Sequence, residues 1–210
     1  MSVILRQGIF GDYYGNTYDS SNTLTGEQME INATYIYSYL KHKGWSDNAI
    51  SAILGNMQAE SAINPGRWQG NNVGGGPAYG IVQWDPFSKY INWCSEQGYS
   101  DPSEMDSNLA RIIYEVENKI QWYGVGDYSG MSFEEFATSE ESVSYLAIGF
   151  LLCYERPADQ SESVQNYRAS LASNWYEYLT GVTPSDPTGS SKKKKGFNFI
   201  LFNRRRRMII

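Results

Sequence analysis

Apolar positions recur along this chain mostly with the period of a helix. Met29, Ala33, Ile36, Tyr37 and Leu40 share one face of a 3.6-residue repeat, predicting a helix from about Thr25 to Lys43. Its start reads T-G-E-Q, so Thr25 and Gln28 can satisfy each other's backbone donors, and Gly44 suits the turn that ends it. Ser46-Asp47 caps a second helix with Ile50, Ile53, Leu54 and Met57 as its stripe, and this helix delivers Glu60 at its C-terminal end. The pattern then changes. Gly66, Gly70, Gly74 to Gly76 and Gly80 alternate with polar residues, and A-Y-G-I-V-Q-W (78–84) predicts a short strand. Residues 64–85 are therefore expected to form a small β-hairpin lobe with a glycine-rich loop. Helical spacing resumes at 86–97, at 107–122 through Leu109, Ile112, Ile113 and Val116, in S-F-E-E-F-A, and over 141–155 and 162–179. The stretch 143–153 is apolar nearly all round, the mark of a helix at the centre of a domain. The fold class is mainly α (α+β), a helical body with a small β-hairpin lobe.

Four segments emerge: an N-terminal arm (1–24) rich in Gly, Tyr, Asn and Ser, a globular domain (25–181), a linker (182–191) and a tail (192–210). The tail holds Lys192 to Lys195 and Arg204 to Arg207 around a short apolar run. The chain's net charge is −6, and taking those eight from its 17 Lys and Arg leaves nine against 23 acids, about −14 over residues 1–191. Such a body repels phosphates and is a poor nucleic-acid binder. The first residues lack the basic start and long apolar stretch of a signal peptide, and no run approaches the length of a membrane span.

Counting excludes most catalytic machinery. The one histidine, His42, lies on the polar side of the first helix, so Ser-His-Asp or Cys-His chemistry has little to work with. Cys94 and Cys153 sit in apolar helical patterns, as buried thiols do. Soft ligands are too few for zinc, and Gly74 to Gly76 lack the Lys-Ser/Thr of a phosphate loop. No metal or cofactor is expected, and what remains is carboxylate chemistry. A partly desolvated Glu can protonate a glycosidic oxygen, and Glu60 stands at a helix C-terminus with Met57, Ile63 and Trp68 nearby. Aromatics make up 15% of the chain, which suits either sugar binding or an aromatic-rich core.

The stretches G-W-S-D-N-A-I-S-A-I-L-G-N-M-Q-A-E-S-A-I-N-P-G-R-W-Q, A-Y-G-I-V-Q-W-D-P, Y-I-N-W-C-S-E-Q-G, M-D-S-N-L-A-R-I-I-Y-E-V-E-N-K-I-Q-W and F-L-L-C-Y-E-R-P-A-D occur in this order over about residues 27–180. In that order they resemble the phage tail lysozyme family, tail-knob lysins of small tailed phages that infect Gram-positive bacteria. The resemblance implies a lysozyme-like fold and cleavage of the peptidoglycan glycan strand, between N-acetylmuramic acid and N-acetylglucosamine, as the tail penetrates the wall. It implies Glu60 as the general acid, Gln83 as a hydrogen-bond partner of a sugar or of the attacking water, and Tyr154 as the residue closing the cleft. Trp68, Trp84 and Tyr79 are candidate substrate-binding rings, the two tryptophans being either stacking platforms or core. For a second carboxylate, Asp85 and Glu155 are the candidates, and a Glu155–Arg156 ion pair fixing the loop is the plainer reading of the latter. Lytic transglycosylases of the same superfamily need no second carboxylate, and a non-catalytic wall-binding tail protein is the rival from another class. The expected partners are peptidoglycan and other tail proteins in the virion, with the basic tail contacting an anionic wall polymer, lipid or nucleic acid.

Overall fold

The computed structural model describes residues 3–15 and 24–187, so the basic tail, the end of the linker (188–191) and residues 1–2 and 16–23 of the arm lie outside the described residues. Seven helices make the body: α1 (Gly26–His42), α2 (Asp47–Ser61), α3 (Ser88–Glu96), α4 (Met105–Glu117), α5 (Phe133–Thr138), α6 (Val143–Phe150) and α7 (Glu162–Leu179). The caps fall where the side chains demand. Thr25 and Gln28 form a complete capping box on α1, and Ser46 Oγ accepts from the Ala49 N–H to start α2. The helix expected at 107–122 stops at Glu117, with Lys119 and Gln121 in left-handed backbone just beyond.

Helix α2 is the hub, buried from Ala49 to Met57 and packed against α6 and α7. Its approach to α7 depends on Gly55, where an added Cβ would lie 2.5 Å from the Ala172 backbone nitrogen. Asn56 Nδ2 donates to the Ala147 carbonyl of α6 at 3.0 Å. Helix α6 runs on into a wider π turn, Leu151–Glu155, closed by Arg156 in left-handed backbone (φ 52°). Leu146, Ala147, Phe150, Leu151 and Cys153 are fully buried, as the apolar run predicts. Cys94 and Cys153 are free, buried thiols.

The β structure is not where the glycine pattern placed it. The antiparallel hairpin is β1 (Ile4–Gly8) with β2 (Gly11–Gly15), inside the stretch expected to be an arm. It docks on α1 through Phe10 and Tyr13 against Tyr35, and through Asn32, whose side chain bonds both the N–H and the carbonyl of Tyr14 (2.6 and 2.7 Å). Residues 78–84 form no strand. They make a tight turn in which Tyr79 and Trp84 exchange backbone hydrogen bonds (3.3 and 2.9 Å), with a single bridge from Trp68 to Tyr79. Too few residues lie between the two rings for ladder pairing, and Gly80 turns the chain at φ +91°, where a Cβ would strike the Trp84 ring at 2.7 Å.

Candidate active site

Helix α2 ends at Ser61, followed by two left-handed residues, Ala62 (φ 55°) and Ile63 (φ 56°). That conformation is uncommon for a β-branched side chain and is held by its surroundings. The Ile63 carbonyl accepts from Asn32 Nδ2 at 2.8 Å, and Ser61 Oγ donates to the Ile81 carbonyl at 2.9 Å. The second bond ties the helix end carrying Glu60 to the 79–84 turn carrying Gln83. Glu60 is 20% exposed at its side chain and pairs at 2.5 Å with Nη2 of Arg168, a buried residue of α7. Nη1 of the same arginine donates to the Asn56 carbonyl at 2.8 Å.

Facing the turn is a polar cleft of about 320 Å³, whose walls include Gln83, Trp84 and Asp85 on one side and Tyr154, Glu155 and Arg156 on the other. Lys89 and Gln121 complete its rim. Five sequence-predicted residues thus meet in one cavity. Gln83 commits its amide N–H groups to the carbonyls of Arg67 (3.0 Å) and Gly80 (2.8 Å), leaving its oxygen as the group offered to the cleft. Asp85 is exposed on the rim, where Lys89 Nζ donates to its backbone carbonyl at 2.8 Å.

The rings expected near substrate are buried, and for the two tryptophans this is the core reading that the sequence left open. Trp68 and Tyr79 are 3% and 0% exposed, packed on each other at 4.6 Å between centroids, so they are core and offer no face to a sugar. Tyr154 and Trp84 border the cleft, but their polar atoms point inward. Tyr154 OH donates to Glu115 Oε2 (2.5 Å) and Trp84 Nε1 to Glu115 Oε1 (3.1 Å), while Arg111 Nε donates to Oε1 at 2.8 Å. Burial pushes the Glu115 carboxyl above the usual range, opposed by these donors. Glu115 thus clamps the two cleft walls together from beneath.

The Glu155–Arg156 ion pair is also absent among the described residues. The Arg156 guanidinium instead lies 4.2 Å over the ring of Tyr123. Glu155 Oε1 is sealed from solvent without a hydrogen-bond partner, although the residue lines the cleft. Burial drives its carboxyl well above the ordinary range. The charge of Glu60 raises it further, and Arg168 only partly opposes this. Glu60, Glu155 and Arg168 are therefore one electrostatic cluster, of which Glu155 lines the cleft and Glu60 and Arg168 do not.

Sequence reasoning missed Arg168 and Glu115. Glu115 could have been flagged by its i,i+4 spacing from Arg111 on a face otherwise made of Leu109, Ile112 and Val116. Arg168 could have been flagged as a lone charge beside Ala169 and Ala172. Among the described residues no group of His, Cys, Asp and Glu could hold a metal, and no helix is long and apolar enough to cross a membrane.

The phage tail lysozyme family matches residues 31–179, which contain every residue of the cleft. Morphogenesis protein 1 of Bacillus phage B103 is 43% identical over 165 residues, covering 78% of this chain and 43% of that protein. The chain thus spans under half the length of the relative.

Proposed function

The chain belongs to the phage tail lysozyme family, and from that premise we propose that it cleaves the peptidoglycan glycan strand between N-acetylmuramic acid and N-acetylglucosamine, with Glu60 as the general acid. The observation that carries this reading is convergence. The 79–84 turn and the π turn after α6 line one polar cleft with Gln83 and Glu155. The end of α2 that carries Glu60 is tied to the 79–84 turn through Ser61, and the charge of Glu60 acts on Glu155. A glycan occupying the cleft meets the Gln83 amide oxygen, an acceptor suited to a sugar hydroxyl or amide, or to the attacking water. Protonation of the leaving oxygen lowers the barrier to breaking the C1–O bond, and a carboxyl is a group that can supply that proton. The protein acts as a tail component of the virion, opening the wall that the tail must cross.

Mass spectrometry of fragments released from Gram-positive peptidoglycan tests this, with Glu60→Gln in parallel. Reducing-end muramic acid products, reduced at least ~100-fold in the folded variant, are expected of a hydrolase with Glu60 as its acid. Anhydro-muramic ends identify a transglycosylase instead. Binding to sacculi without release of any fragment identifies a wall-binding tail protein and ends the enzymatic reading.

A further inference from the structure

The general-acid role proposed for Glu60 leaves a chemical gap. At rest its carboxylate is engaged by Arg168, whereas acid catalysis needs a proton at the cleft wall. Glu155 fills the gap. It lines the cleft, one of its oxygens is sealed without any donor, and the neighbouring arginine that could have paired with it is drawn away onto Tyr123. It stands on a π turn, an arrangement concentrated at functional sites, between a buried tyrosine and a left-handed arginine.

We propose that Glu155 is the second catalytic carboxyl of this site and acts with Glu60 as a pair holding a single proton. The proposal rests on the glycosidase reading above. The groups acting on Glu155 from each packed element are Glu60 on α2, Glu115 on α4, Arg168 on α7 and Arg156 on its own segment. Glu115 is already neutralised by Arg111, and Glu60 by Arg168. A third negative charge on Glu155, with no donor at its sealed oxygen, is opposed only in part by Arg168 and Arg156, and burial outweighs them, so the proton is placed there. In turnover the pair's proton passes to the glycosidic oxygen as the C1–O bond breaks. Water adds its hydroxyl to C1 and returns its proton to the pair, restoring one proton and one charge.

The test measures kcat and KM on solubilised glycan strands across pH for the wild type, Glu155→Gln, Glu60→Gln and the double variant, with melting temperature beside each. Glu155→Gln is expected to lose at least ~100-fold in kcat with KM little changed and with its melting temperature kept or raised. The double variant is expected to be no worse than the poorer single one, as for residues that work together. A folded Glu155→Gln within about threefold of wild type while Glu60→Gln is dead overturns the pair and leaves the glycosidase reading intact. A wild type without activity overturns that reading instead. Should Glu155→Gln fail to fold, carbon NMR titration of the glutamate carboxyls in wild type and Glu60→Gln decides. The highest-titrating glutamate must move down when the Glu60 charge is removed, and a resonance that stays put overturns the pair.

Discussion

Two carboxyls lie within this small region, Glu115 buried and Glu155 half-buried with one oxygen sealed, and they are treated in opposite ways. Glu115 receives three donors, from Trp84, Arg111 and Tyr154. Glu155, one residue after that tyrosine, has an oxygen with none. A buried charge surrounded by matched donors holds parts together, and removing it leaves those donors orphaned. A buried carboxyl left without donors costs stability that a simple amide would not. Such a group at a cleft is a candidate for chemistry. The contrast separates a scaffold charge, Glu115, from the carboxyl proposed to react, Glu155.

Breaking the scaffold side should give the largest effect on stability. Glu115→Ala leaves Arg111 charged and buried and two ring donors without partners. It is expected to destabilise the fold by about 3–5 kcal/mol, read from urea unfolding. A variant that unfolds at the wild-type urea concentration would show that the cleft walls do not depend on Glu115.

Tyr154→Phe probes one arm of the same clamp. It removes only the hydroxyl that donates to Glu115, while the ring stays stacked on Phe150 at 4.4 Å. The expected loss is about 1.5–3 kcal/mol, the range for a hydrogen bond to a charged group. Because the hydroxyl faces Glu115 and not the cleft, KM for glycan should change less than stability does. A large rise in KM with unchanged stability would restore Tyr154 as a substrate contact.

Most of the helices were legible in the sequence because burial of one face imposes the 3.6-residue period, and the caps of α1 and α2 obey local chemistry. The hairpin was misplaced because glycine signals turns without saying whether strands flank them. Residues 78–84 are all turn, whereas Ile4–Gly8 and Gly11–Gly15 pair around a much plainer Ile9-Phe10. Glu60 was singled out by its place at a helix end and Gln83 and Tyr154 by the family resemblance, and the fold lines one cleft with the last two. The partners of the site's carboxyls were not legible, since Arg168 stands 108 residues from Glu60 and Tyr154 stands 39 from Glu115. Periodicity says which face is buried but not which distant helix shares it. Local reading of Y-E-R therefore paired Glu155 with its neighbour Arg156, while the fold gave that arginine to Tyr123.

The smallest effect, and the one of opposite sign, belongs to Glu155→Gln. The amide keeps the shape and removes an ionisable group whose charged form is penalised in the folded state. Because the folded carboxyl titrates above its unfolded value, the native state binds the proton more tightly than the unfolded chain. Its stabilising contribution is complete below the ordinary carboxylate range and is lost as pH rises through the elevated folded value. Glutamine does not titrate, so the variant should match wild type at acid pH and exceed it by about 1 kcal/mol once the pH is neutral or higher. Melting temperatures of the two proteins from acid to mildly alkaline pH should diverge upward for the variant. Parallel curves would mean that Glu155 finds a compensating donor, which would erase its contrast with Glu115.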